Sequence, residues 1–223
     1  MKFFPETMSG GGAFFDADND GDLDIYAVDG GNLSDAPQGR PGNALFINNN
    51  GHFKRKYNAS GADHQGYGMG ISIGDIDNDG DDDLYVTNFG PNVMYQNNVG
   101  TFLDISKSSK TNDPLWGASA AFSDYDLDGD LDVYLLGHRF YRAGGRPNRP
   151  VTILKDGRNQ MLPEFENYYG VSERRGNMKI NNVGAPDKLL RNDGGRSYGR
   201  SVAFPPRRLV VGRNGGGAAA AGR

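Results

Sequence analysis

The sequence predicts an all-β fold of β-propeller type, built from about three four-stranded blades. Three observations predict it. An acidic nonapeptide recurs at Asp16–Asp24, Asp75–Asp83 and Asp124–Asp132. Short runs of aromatic and β-branched residues enter and leave each copy, as strands joined by a tight turn would. A second motif with an Asn/Gly turn accompanies each copy and supplies two further strands, making four per unit. With 34 glycines in 223 residues and a hydrophobic share of 36%, the composition also suits many short strands.

Each element follows in order. In the first unit Ala13-Phe14-Phe15 enters the acidic loop and Leu23 to Val28 leaves it. Asn43-Ala-Leu45-Phe46-Ile-Asn48-Asn49-Asn50-Gly51-His-Phe53 then predicts a third strand, a turn and the start of a fourth. The second unit repeats this with Ser72-Ile73-Gly74, Asp83-Leu84-Tyr85-Val86 and Asn92 to Phe102. The third has Ala121-Phe122-Ser123, Asp132-Val133-Tyr134-Leu135 and the partial copy Asp187 to Gly195. The loops begin at 16, 75 and 124, so the period is 59 and then 49 residues, within the range of propeller blades and arrays.

The loops carry the chemistry. Each places aspartate at positions one, three, five, seven and nine and glycine at six. A lone Asp-Gly marks only a solvated hairpin turn. Five carboxylates within nine residues repel one another, and a hard divalent cation with six to eight oxygen ligands resolves that repulsion. The expected ion is Ca2+, about three in all. Magnesium, which prefers strict octahedral geometry, and manganese are the alternatives. Carboxylate ligands are expected from Asp16, Asp18, Asp20 and Asp24; from Asp75, Asp77, Asp79 and Asp83; and from Asp124, Asp126, Asp128 and Asp132. Asp22, Asp81 and Asp130 would each offer a backbone carbonyl. The glycine at position six is expected at positive φ. An EF-hand would need glutamate at position twelve, where Ala27, Val86 and Leu135 stand. Asp82 replaces the leucine of the other copies, Leu23 and Leu131, and is expected to point outward without loss of binding.

Charge and composition bound the function. The net charge is −4, but six arginines and no acid lie after Gly195, which leaves −10 for the remainder. Such a surface is unsuited to nucleic acid or anionic membrane. There is no cysteine, hence no disulfide, and no run approaches the roughly 20 apolar residues of a membrane span. The N-terminus breaks at Pro5 without an export signal, although weak calcium modules belong outside the cytosol. An internal piece of a longer exported protein reconciles the two.

Residues 138–186 are expected as an insertion, rich in Arg139, Phe140, Tyr141, Arg142, Arg146, Arg149, Phe165, Tyr168, Tyr169, Arg174 and Arg175. It reads either as a ligand-contact loop or as an extended hairpin with a short helix at 163–169. The repeat is expected to end at residue 195, where a phenylalanine strand should begin. Residues 196–223 then read as a disordered tail, a basic arm or an out-of-frame translation. His52, His64 and His138 lack zinc spacing and read as isolated surface or turn residues. Trp116 reads as core, and Gly66, Gly68 and Gly70 as close strand packing. No nucleophile elbow, P-loop or dinucleotide pattern is present, and no carboxylate pair is left for glycoside chemistry.

These loops and turns resemble the FG-GAP (VCBS) repeats of integrin-α-like β-propellers. Within that group, residues 4–195, including Tyr141 to Pro147, look most similar to the bacterial cartilage-acidic-protein-like ASPIC/UnbV family. The signature is degenerate, with Gly12-Ala13-Phe14 and Gly117-Ala118 as remnants and Phe89-Gly90 as a turn. The resemblance implies calcium at the loop aspartates and a seven-bladed parent, of which three blades form a partial ring. It implies a non-enzymatic binding or adhesion module, extracellular or periplasmic. Its partners would be the remaining blades and an unidentified protein or glycan. The alternative is the scaffold or carbohydrate-binding part of a polysaccharide-active enzyme.

Overall fold

A computed structural model describes residues 10–33, 41–139, 147–174, 177–194 and 197–204. The chain divides into two compact units, residues 1–139 with 185–206, and residues 140–184 with 207–223.

The first unit contains three four-stranded antiparallel sheets. The first sheet runs β1 (Gly11–Phe15), β2 (Asp24–Val28), β3 (Ala44–Asn49) and β4 (His52–Arg55). The second is β5 (Gly68–Gly74), β6 (Asp83–Asn88), β7 (Gly90–Asn98) and β8 (Thr101–Asp104). The third begins with β9 (Gly117–Ser123) and β10 (Asp132–Gly137). It is completed from beyond the insertion by β15 (Asp187–Asn192) and β16 (Tyr198–Phe204). This is the blade architecture expected from the repeats.

Burial follows from each sheet's neighbours. Strand β6 is buried at every position, because both of its faces are covered. Leu84 and Val86 join Phe15, Val28 and Leu45 of the first sheet in one core. Tyr85, pointing the other way, joins Val133, Leu135 and Leu190 of the third in a second core. The first strands approach closely. A Cβ on Gly11 would meet the Gly70 Cα at 3.1 Å, and one on Gly70 would meet the Ala118 carbonyl oxygen at 3.3 Å. Gly70, and Gly68 against Val28, thus serve strand packing as expected, whereas Gly66 precedes β5 and lies against the His64 side chain.

A tyrosine two residues after each loop repeats a further bond pattern that the sequence did not announce. Asn43 Nδ2 donates to Tyr26 Oη at 3.0 Å and Asn92 Nδ2 to Tyr85 Oη at 3.1 Å. In the third sheet Tyr134 Oη instead donates to Asp187 Oδ2 at 3.0 Å. Asn43, Asn92 and Asp187 each also accept a backbone N–H from the end of the second strand or the residue after it: Asp29, Asn88 and Gly137.

The third sheet corrects the expected end of the repeat. Residues 198–204 form β16, paired with β15 from Asp187↔Phe204 to Asn192↔Tyr198. Tyr198, 4% exposed, takes the place of the missing phenylalanine, alongside Val133 and Leu190 in the core. Aromatic burial suffices there, and the phenol Oη finds the Leu131 carbonyl at 3.1 Å. The remainder of the expected tail, 205–223, lies outside the described residues.

The second unit holds two hairpins, β11 (Thr152–Lys155) with β12 (Arg158–Met161) and β13 (Tyr169–Arg174) with β14 (Asn177–Asn182). The expected helix over 163–169 is only a 3-10 turn, Pro163–Phe165. Pro163 opens that turn, and the chain then commits its backbone to β13 at Tyr169. Val151, Phe165 and Tyr169 form this unit's own small core. Arg142 and its neighbours 140–146, with Arg175, lie outside the described residues.

Candidate metal centres

Each acidic loop joins the first two strands of a sheet, and the register is the same in all three. Phe15 pairs with Asp24, Gly74 with Asp83, and Ser123 with Asp132. The ninth-position aspartate is therefore anchored at the first residue of the second strand. Its two oxygens accept backbone N–H groups from both sides. Asp24 takes Ala17 at 2.9 Å and Asn48 at 2.7 Å. Asp83 takes Ile76 at 2.8 Å and Asn97 at 2.7 Å. Asp132 takes Tyr125 at 3.2 Å and Asn192 at 2.8 Å. Burial pushes the Asp83 carboxyl up to about 7, against the pull of its two backbone donors.

The loop turns as its residue types require. Glycine at position six has φ 93°, 93° and 94° at Gly21, Gly80 and Gly129, the left-handed region expected there. Position four is also left-handed, at Asn19, Asn78 and Leu127. This geometry lets the first aspartate grip the turn. Asp16 accepts from Asp20 and Gly21, Asp75 from Asp79 and Gly80, and Asp124 from Asp128 and Gly129, at 2.9–3.2 Å.

Three carboxylates converge in each loop. Asp16, Asp18 and Asp24 present oxygens within 4.8 Å of one another, as do Asp75, Asp77 and Asp83, and Asp124, Asp126 and Asp132. The fifth-position carboxylates are not part of these triplets. Asp20, Asp79 and Asp128 each accept the N–H of the seventh residue through Oδ1. The seventh side chains turn away from the triplets: Asp22 Oδ2 accepts the Asn50 N–H and Asp81 Oδ2 the Val99 N–H, both at 2.8 Å. Asp130 Oδ1 accepts from Asn78 Nδ2 at 3.3 Å.

The triplets fit a hard cation on the chemistry of their donors. Asp18 Oδ1 and Asp126 Oδ1 are buried without a hydrogen-bond partner, an arrangement that costs free energy unless a cation completes it. The Asp18 carboxyl is pushed up by burial and then by Asp20, Asp24 and Asp16, as expected of like charges held together.

Asp82 departs from expectation. It is half-buried rather than turned outward, and its carboxyl is raised by burial and by Asp75 and Asp16. Its counterpart Leu131 packs over Gly74, where a Cβ would meet Leu131 Cδ1 at 2.9 Å. The position therefore faces a neighbouring sheet, which explains why a carboxylate there is not freely solvated.

Sequence reasoning missed three features. Asn97 Nδ2 donates to the Ala17 carbonyl at 2.9 Å, and Asn192 Nδ2 to the Ile76 carbonyl at 3.1 Å, so the first and second loops are each tied to the next sheet. Arg191 lies against the third loop, with Asp126 Oδ2 at 2.9 Å and Asp128 Oδ2 at 3.4 Å. His64 lines a cavity of about 630 Å³ with Asp63, Tyr67, Phe89, Tyr95 and Asp104. The recurrence of asparagine at Asn48, Asn97 and Asn192 was the available signal for the first two; nothing local marked His64. His138 has a packing role instead, stacked on Trp116 with ring centroids 4.1 Å apart.

Repeated four-stranded antiparallel sheets, each with an aspartate loop between its first two strands, define a propeller-type repeat protein. Comparison with known families matches the FG-GAP-like repeat over residues 16–86 and 75–135, and the chain belongs to that family. No curated protein matches it.

Proposed function

We propose that this chain is a calcium-stabilised, non-enzymatic binding or adhesion module acting outside the cell or in the periplasm. The observation that carries this reading is the convergence of three carboxylates in each loop, with buried and unpartnered oxygens at Asp18 and Asp126. Asp16, Asp18 and Asp24, with the equivalent residues of the other loops, would hold the ions. The ion would supply charge neutralisation, and so couple metal binding to folding. The finer kinship with ASPIC/UnbV proteins and a protein or glycan ligand belong to the same proposal. Among the described residues no helix is long and apolar enough to cross a membrane.

Titration of the metal-free protein with CaCl₂ by calorimetry tests it: about three ions are expected at saturation, and Asp77→Ala should remove one. No heat at millimolar calcium would end the reading. The cavity lined by Tyr67, Phe89 and Tyr95 favours a second reading, a carbohydrate-binding part of a polysaccharide-active enzyme. A glycan array separates glycan binding from protein adhesion, and release of a shortened product from a bound glycan would favour the enzyme.

A further inference from the structure

The three loops are near-identical in sequence, yet one strand position beside them is not. Ile47, Gln96 and Arg191 occupy the same place in β3, β7 and β15, one residue before Asn48, Asn97 and Asn192. In the second and third sheets this residue lies against the third-position aspartate of its own loop. Gln96 Nε2 donates to Asp77 Oδ2 at 2.8 Å. Arg191 places one terminal nitrogen 2.9 Å from Asp126 Oδ2 and the other 3.4 Å from Asp128 Oδ2, while its Nε lies 2.6 Å from Asp193 Oδ1. Ile47 carries no charge and no donor. The series thus runs from an apolar residue, through a neutral donor, to a full cation held between two loop carboxylates.

The surroundings accentuate the series. The second loop carries the additional half-buried Asp82. The third has leucine at the corresponding place, Leu131. The second loop therefore carries the most carboxylates, while in the third a guanidinium, itself also paired with Asp193, sits directly on the third-position carboxylate. A guanidinium and a divalent ion compete for the same carboxylates, and their mutual repulsion in a partly buried site weakens the ion.

We propose that the three loops are graded cation sites, and that Arg191 acts as a resident counter-charge that makes the third the weakest. This rests on the reading of the triplets as calcium sites. The first two sheets would need the ion to hold their loops, while the third would keep its loop closed at low calcium through Arg191.

Tyr125 makes the third site separately observable. It stands at position two of that loop, where the others have Ala17 and Ile76, so it can sensitise terbium luminescence there. The full chain is titrated with TbCl₃ under tyrosine excitation and, in parallel, with CaCl₂ by calorimetry; Tyr125→Phe identifies the emission that belongs to the third loop. Arg191→Gln, which copies the second loop, should tighten the third-site midpoint by about tenfold, and Arg191→Lys should change it by less than about threefold. The converse variant Gln96→Arg should weaken the second site by about tenfold and leave the third unchanged. If both Arg191→Gln and Gln96→Arg leave their sites within about twofold of the parent, the grading is wrong although calcium still binds. If no loop of any variant binds calcium or terbium, the calcium reading itself fails, and the grading with it.

Discussion

Asp83 shows how one side chain joins metal chemistry to folding. It is fully buried, and its two oxygens satisfy the Ile76 and Asn97 backbone N–H groups. Asp83→Ala would strand both donors in the core. A loss of roughly 3 kcal/mol is expected, or a fall in Tm of about 6–12 °C for a unit of this size, read by thermal denaturation in excess chelator so that metal loss does not contribute. His64 gives a pH prediction of definite sign. Burial lowers its pKa below the usual 6.5, and Asp104 and Asp63 oppose this only in part. A depressed folded-state value means the contribution is present above about pH 6.5 and is lost as pH falls through the lowered value. His64→Gln should therefore flatten the decline in stability as pH falls below about 6.5, measured by urea midpoints across a pH series.

At the scale of strands and turns, the two-residue hairpin loops illustrate local chemistry. Asn50-Gly51 and Val99-Gly100 both lie at positive φ, 51° and 88°, and 45° and 79°. Asparagine tolerates that region and a β-branched residue does not. Val99 is 58% exposed and gains little from burial. Val99→Asn, copying the first sheet, should stabilise the protein by about 1 kcal/mol, seen as a shift in the urea midpoint at unchanged slope. Strands and loops of the first two sheets were legible because their signals lie within nine to eleven adjacent residues. Strand β16 was not, because Tyr198 stands in for phenylalanine and five residues, where the first sheet has two, separate it in sequence from β15. The contact of Arg191 with Asp126 was hidden for a different reason. It depends on the pairing of β10 with β15, across an insertion that erases sequence proximity. The convergence of positions one, three and nine was readable from spacing; the placement of position five outside those triplets needed the loop's own hydrogen bonds.

At the scale of the molecule, metal removal is the broadest test. A site with ligand at a hundredfold excess over its dissociation constant contributes about 2.7 kcal/mol to the folded state. Two tight sites and one weak one predict that excess calcium raises Tm well above its value in chelator, with most of the rise complete before the third site fills. Differential scanning calorimetry across a calcium series checks this, and superimposable traces at every concentration would contradict it. Equivalent positions in the three sheets also differ in exposure, because only the middle sheet packs against a described sheet on both faces. Tyr26 and Tyr85 are wholly buried while Tyr134 is 40% exposed, and Phe14 is 68% exposed although Phe122 packs against a core.

Because β6 is covered on both faces, its amides reach solvent only when two separate cores open together. Deuterium exchange should consequently label β1 and β16 within the early time points and leave Leu84 to Val86 for last. The slowest-exchanging segment would then lie inside the chain's second repeat, and its protection would report on the cohesion between sheets, beyond the stability of any one of them.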